Sequence, residues 1–324
     1  MNPIVSSTGI DRRALLSTLA ALAPLPTLLA TAARAQAPAN ELASWNDGSA
    51  KQAIVDFVRS TTDRANPSFV PPEERIATFD QDGTLWVEHP MYTFMTYSLE
   101  RVPTLMKDKP GLKDVEPFKT VLSGNREEMA KLTTPDLEKI LFATVTGMTV
   151  EQFKAEATKW LDTARHARWN RPYTELSYQA RAGSEKVYGV PPEQVVGTAS
   201  ATKYDYDKDG RPILIKEPKL MLFDDFGGKA EGIHLMIGRR PRAAFGNSTG
   251  DQQMLEYTGA GEGARLMMLV LHDDAQREYA YGPAQGLPDT KVGTFTQALY
   301  DEAKQKGWNV ISMKNDWKRI FAFE

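Results

Sequence analysis

The chain has 324 residues, 41% hydrophobic and 25% charged, enough for one large core or a core with a small accessory domain. Its formal net charge of -3 gives no electrostatic reason to expect nucleic acid as a partner, and clusters such as Arg239, Arg240 and Arg242 read as a solvated helix end. With no cysteine present, disulfides, thiolate catalysis and cysteine-ligated zinc are excluded.

At the start, Arg12-Arg13 precede an apolar run from Ala14 to Ala33 that Pro24 and Pro26 interrupt. Ala33-Arg34-Ala35 and Ala35-Gln36-Ala37 then offer small-residue cleavage patterns, so residues 1–35 read as a removable export signal. Paired arginines suit the twin-arginine route. A membrane span needs about 20 continuous apolar residues, which the prolines deny. The expectation is a periplasmic or secreted protein with no stable membrane anchor after cleavage.

Glu41 to Thr62 has the apolar spacing of an amphipathic helix, and Pro67, Pro71 and Pro72 predict a loop after it. Arg75 to Asp80 is a short, mostly apolar run ending on a carboxylate, which predicts a buried strand. From Met91 to Trp169 the pattern is helical, with helices expected over Met91–Met106, Glu116–Leu122, Pro135–Ala143 and Val150–Arg165. Later, Gln194–Thr198 is a candidate strand, and Thr202–Tyr206 and Pro212–Lys216 flank the Asp209-Gly210 hairpin turn. Ile233–Ile237 predicts a helix, Arg242–Phe245 a strand, Gly250–Tyr257 a helix and Arg265–His272 a strand. Asp273-Asp274 reads as a helix start, Thr294–Gln305 as a helix and Trp308–Met313 as a last strand. Strands alternating with helices predict an open, mainly parallel α/β sheet. On this layout residues 41–90 and 170–324 form the core, and 91–169 a helical insertion after the first strand.

Phe79-Asp80-Gln81-Asp82-Gly83-Thr84-Leu85 directly follows the first strand, and ligands in α/β sheets sit at strand carboxyl ends. Two aspartates one residue apart repel unless a cation joins them, and a hard ion such as Mg2+ suits their oxygens. Gly83 permits a tight turn, and with Thr84 places amide and hydroxyl donors near a bound phosphate. A second turn, Gly246-Asn247-Ser248-Thr249-Gly250-Asp251, closes a later apolar strand.

The first segment resembles the D-x-D-G-T-L motif of the haloacid-dehalogenase superfamily. The resemblance implies a Rossmann-like core with the helical insertion as its cap. It also implies Mg2+-dependent phosphomonoester hydrolysis, with Asp80 as nucleophile and Asp82 as general acid and base. Dehalogenases of the superfamily lack the second acid, so Asp82 favours phosphate chemistry. The second turn resembles the fourth motif, which makes Asn247 and Asp251 metal ligands beside Asp80 and Asp82, although Asn247 stands where an acid is usual. Lys229 falls where the third-motif lysine is expected, with Lys219 as the alternative. Glu88 lies near the glutamate that receives the substrate's amine in phosphoserine phosphatases, and His89, Trp86 and Tyr92 could line the same entrance. His166, His234 and His272 share no ligand spacing and read as structural.

The similarity runs from about Trp45 to Glu324 and is close to exported phosphoserine-phosphatase-like hydrolases, through tracts such as Arg171-Pro172-Tyr173-Thr174-Glu175-Leu176 and Tyr188-Gly189-Val190-Pro191-Pro192. Between these tracts the family carries a strand ending in the second-motif hydroxyl, which Leu176 to Val187 is too short to hold with its helix. The expectation is a weakened phosphate grip, unless the Gln194–Gly197 strand moves beside Asp80 and brings Thr198 or Ser200 with it. The expected substrate is a small phosphorylated metabolite. The rivals are a catalytically inactive periplasmic binding protein on the same scaffold, and a phosphotransferase.

Overall fold

The computed structural model describes residues 42–179 and 190–324. The expected export signal, residues 1–35, and most of the stretch where the second-motif strand is expected lie outside the described residues.

The elements in chain order begin with helix α1 (Ser49–Thr62) and strand β1 (Ala77–Phe79). A helical block follows: α2 (Thr93–Asp108), α3 (Phe118–Ser123), α4 (Arg126–Met129), α5 (Thr134–Val145) and α6 (Val150–Thr163). After it come β2 (Ala199–Tyr206), β3 (Pro212–Leu222), α7 (Gly227–Ile237), β4 (Ala243–Gly246) and α8 (Gln252–Gly259). The chain closes with β5 (Leu266–Leu271), α9 (Gln297–Gln305), β6 (Asn309–Ser312) and α10 (Met313–Asp316).

The fold is mixed α/β, with a parallel sheet in the order β1-β4-β5-β6 and helices on its faces. Strand β5, Leu-Met-Met-Leu-Val-Leu, has no polar face because both of its faces are covered. Its residues alternate with the period of two that a strand imposes. Leu266, Met268 and Val270 pack with Trp45, Ile311, Trp317 and Phe321, while Leu269 and Leu271 pack with Ile233, Leu255, Phe295 and Leu299. Helix α1 contributes Ala50, Ile54 and Phe57 to the first layer, and α9 contributes Leu299 and Ala303 to the second.

The block from α2 to α6 has a core of its own, with Val102, Leu105, Phe118, Val121 and Ile140 buried together. Its later helices start on capping boxes, Thr133 with Asp136 and Thr149 with Gln152, each satisfying amides that the first turn leaves unpaired. Strands β2 and β3 form a separate antiparallel pair around the Asp209-Gly210 turn, where Gly210 has φ +74. The pair docks on the helical block through Gly147 N to Lys216 O (3.0 Å) and Lys216 N to Met148 O (2.9 Å).

Two expectations need correction. Gln194–Thr198 is not a strand: a 3-10 turn covers Pro192–Gln194, and pairing begins only at Ala199, opposite Leu222 of β3. Among the described residues, no strand from this region enters the parallel sheet. β1 stands at one end of the row, and among the described residues no strand pairs with it on the side away from β4. Asp273-Asp274 starts no helix: Asp274 Oδ1 caps a single turn at Gln276 N and Arg277 N, both 3.1 Å. Asp273 instead accepts from the Ser312 hydroxyl and Lys314 N.

Arg239, Arg240 and Arg242 follow the end of α7 and donate to the carbonyls of Glu73, Tyr257 and Glu262. Among the described residues, no helix is long and apolar enough to cross a membrane.

Candidate active site

β1 and β4 are parallel neighbours, so the turns leaving their carboxyl ends lie side by side. Asp80 N donates to Phe245 O at 2.9 Å, which carries the ladder one bond past Phe79 and fixes where the Asp80 side chain emerges. The next residues fold back at once, with Leu85 N on Gln81 O and Gly83 N on Trp86 O, both 2.8 Å. Gly83 has φ +76, and a side chain there would collide with Asn247, 2.1 Å from its Nδ2. Only glycine allows this turn to press against the one after β4.

The turn after β4 is organised by Asp251, 1% exposed, whose Oδ2 accepts from Asn247 N (2.9 Å) and Ser248 N (3.0 Å). Gly246 leaves room for that carboxylate, since a Cβ would lie 2.4 Å from Asp251 Cβ. Lys229 comes from the first turn of α7, which Gly228 lets approach the Phe223 carbonyl, 1.7 Å from where a Cβ would stand. The Lys229 ammonium hydrogen-bonds Asp80 Oδ1 and lies 3.1 Å from Asp251 Oδ1. Asp82 Oδ1 accepts from Trp86 Nε1 at 2.6 Å.

Charge is concentrated in this small buried volume. Burial, with help from Asp251, pushes the Asp80 carboxyl up to about 8 despite the Lys229 ammonium. Burial likewise raises Asp82, with the Trp86 hydrogen bond pulling the other way. Burial works against the charge of Lys229, but Asp251 and Asp80 hold its ammonium well above the ordinary lysine value. Asp224 and Asp225, just before α7, are raised by burial and lowered by Lys229, which brings two further acids to the rim.

Asp80, Asp82, Lys229 and Asp251 therefore converge, and Asn247, Thr84, Gly83 and Glu88 contact one another in the adjoining turns. The anticipated phosphate donors need revision. Gly83 N is spent on Trp86 O, Thr84 N on Gln81 O (3.3 Å), and the Thr84 hydroxyl on Asn247 Oδ1 (3.1 Å). Gln81 N and Asp82 N have no acceptor among the described residues, so these are the amides the turn leaves over. Thr198 and Ser200 bond to none of these side chains. The Thr198 hydroxyl accepts from Asp224 N (3.0 Å), and Ser200 Oγ is buried without a hydrogen bond on β2, opposite Leu220. Lys219 is exposed on β3 and makes no ion pair among the described residues.

Glu88 does not face an entrance. It is 2% exposed and its Oε1 accepts from Asn247 Nδ2 (2.7 Å) and the Tyr281 hydroxyl (2.8 Å). A carboxylate enclosed in this way cannot receive a substrate's amine. The His89 ring lies tilted against Tyr281 with centroids 3.6 Å apart, and the Tyr92 hydroxyl accepts from Gly293 N at 3.0 Å. His166 contacts the His89 carbonyl through Nε2 (2.8 Å), inside the fold.

Sequence reasoning missed the support behind Gly83. His272 Nε2 donates to Gly83 O at 2.7 Å, and its Nδ1 lies 3.2 Å from Glu278 Oε2, both residues fully enclosed. The one available signal was a histidine ending the apolar β5 strand.

The donor set for a cation is three carboxylates and one amide oxygen, all hard ligands of the kind Mg2+ takes. Asp251 Oδ1 is buried and meets the Lys229 ammonium at 3.1 Å. Among the described residues no three acidic or histidine side chains already form a closed coordination shell, and Lys229 stands between Asp80 and Asp251. In donor chemistry the residues fit Mg2+.

No protein-family model matches this chain, and no curated protein matches it. Among solved structures it is similar to a protein of unknown function from Bordetella pertussis Tohama I, at 14% identity over 74% of this chain and 98% of that one, with a TM-score of 0.37.

Proposed function

We propose that the protein is a phosphomonoesterase of the haloacid-dehalogenase type, acting with Mg2+ on a small phosphorylated metabolite. One observation carries this: the Lys229 ammonium bridges Asp80 and Asp251 at two adjacent strand ends, with Asp82 in the same turn as Asp80. On this proposal Asp80 Oδ attacks phosphorus in line with the ester oxygen, forming an aspartyl-phosphate. Asp82 protonates the departing alkoxide and then takes a proton from the water that cleaves the intermediate. Lys229 offsets charge on the phosphoryl oxygens, and the Gln81 and Asp82 amides, which the turn leaves without an acceptor, would be available to them. Mg2+, held by Asp80, Asp82, Asn247 and Asp251, would supply Lewis-acid neutralisation of the phosphoryl group. The α2–α6 block serves as the cap in this assignment, and residues 1–35 as the export signal of a periplasmic or secreted enzyme.

A second reading, ligand binding without turnover, is favoured by one observation. Neither Thr198 nor Ser200 hydrogen-bonds to the Asp80 cluster, so the grip expected of a second-motif hydroxyl is not supplied by either. Hydrolysis of a generic aryl phosphate with and without Mg2+ separates the two. The phosphatase assignment predicts Mg2+-dependent phosphate release that Asp80→Asn abolishes, whereas rates equal to that variant would leave only the binding function. Product analysis in glycerol distinguishes transfer to an alcohol from hydrolysis.

A further inference from the structure

We propose that Glu88, assisted by Tyr281, is a positioning residue that locks the Asn247 side-chain amide with its oxygen, not its nitrogen, available to the cation. This deepens the phosphatase reading and rests on it. An asparagine side chain has a donor end and an acceptor end of nearly equal size, and only the oxygen can coordinate a cation. Thr84 cannot choose between the ends, because its hydroxyl donates or accepts equally well. Glu88 can choose. Its Oε1 takes the Asn247 Nδ2 hydrogen at 2.7 Å, so the opposite end, Oδ1, turns to the Thr84 side with one lone pair still free.

The carboxylate has little freedom to let that amide rotate. Glu88 lies in a slot between Gly83 and Gly293, both in the left-handed region. A Cβ built on Gly293 would stand 1.7 Å from Glu88 Oε1, and one built on Gly83 2.4 Å from it. Tyr281 holds the same oxygen from a third side at 2.8 Å, itself backed by the His89 ring. Val87 N on Leu176 O (3.2 Å) fixes the adjoining backbone. A closed slot built of two glycines and a buried tyrosine goes beyond what a surface loop needs.

The same contact accounts for the amide at position 247. With Glu88 Oε1 already 2.7 Å away, an aspartate there would replace the amide donor with a second acid in the same enclosed slot. Residues 88 and 247 form a matched pair, acid with amide.

The test is titration of Mn2+, as a Mg2+ surrogate, into the full chain by calorimetry, with each variant's melting temperature recorded. Glu88→Ala should weaken Mn2+ binding about 10- to 100-fold, the range for loss of an outer carboxylate support. Glu88→Gln, which has a donor end as well as an acceptor and so no longer selects the amide's orientation, should also weaken Mn2+ binding, by less than Glu88→Ala. Asn247→Asp should weaken binding when Glu88 is present and strengthen it in the Glu88→Gln background. Wild-type affinity in a folded Glu88→Ala protein, or an Asn247→Asp effect of the same sign in both backgrounds, overturns the proposal. If Glu88→Ala does not fold, the Asn247→Asp pair of backgrounds decides alone. If folded wild type binds no Mn2+, the phosphatase reading fails and the proposal with it; if wild type binds and the variants behave alike, only the proposal fails.

Discussion

Three carboxyls, those of Asp80, Asp82 and Glu88, are raised chiefly by burial, and this makes the metal-free protein's stability depend on pH. The folded state holds protons that the unfolded chain releases near 3.8 for an aspartate, so the stabilisation is complete below that value. It is lost as pH rises through the folded value, about 8 for Asp80. In a chelator, the urea midpoint should therefore fall between pH 5 and pH 8, and Asp80→Asn should flatten that fall; an unchanged slope in the variant counts against the assignment. Gly293→Ala should destabilise by about 1–3 kcal/mol, because its Cβ drives into Glu88 from a left-handed backbone, and an unaltered melting temperature would contradict the slot. At this scale the turn carrying Asp80, Asp82 and Gly83 was legible, since one contiguous stretch holds both its strand and its acids. The place of Glu88 was not, because Asn247 and Tyr281 are 159 and 193 residues away in sequence.

Among elements, legibility followed how completely each segment's pattern decides its neighbours. β5 was readable because six apolar residues in a row, too few for a helix of ordinary length, suit a strand covered on both faces. Leu269→Ala there, at 0% exposure, should cost about 2–5 kcal/mol in urea unfolding. Leu214→Ala on the β3 hairpin, 42% exposed, should stay within about 0.5 kcal/mol. Equal costs at the two sites would mean that the hairpin is part of the main core. Gln194–Thr198 misled because its β-branched residues suit a strand. Its Thr198 is instead tied to Asp224 N, and the pairing capacity begins one residue later with an antiparallel partner. Local propensity cannot show which partner a strand will find.

At the scale of the molecule, the parallel sheet and the helical block each bury their own apolar residues, and the chemistry-bearing turns lie at the sheet's carboxyl end. The alternation of elements predicted that layout, while the end position of β1 depended on which strands reach the sheet. The central claim is that Asp80 becomes covalently phosphorylated, and mass spectrometry of the Asp82→Asn variant after incubation with an aryl phosphate tests it most directly. Without Asp82 to activate water, a phosphoryl adduct should accumulate on the peptide containing Asp80, only when Mg2+ is present, and should vanish in Asp80→Asn. An active wild-type enzyme whose Asp82→Asn variant carries no adduct, or carries it on another residue, would contradict the mechanism.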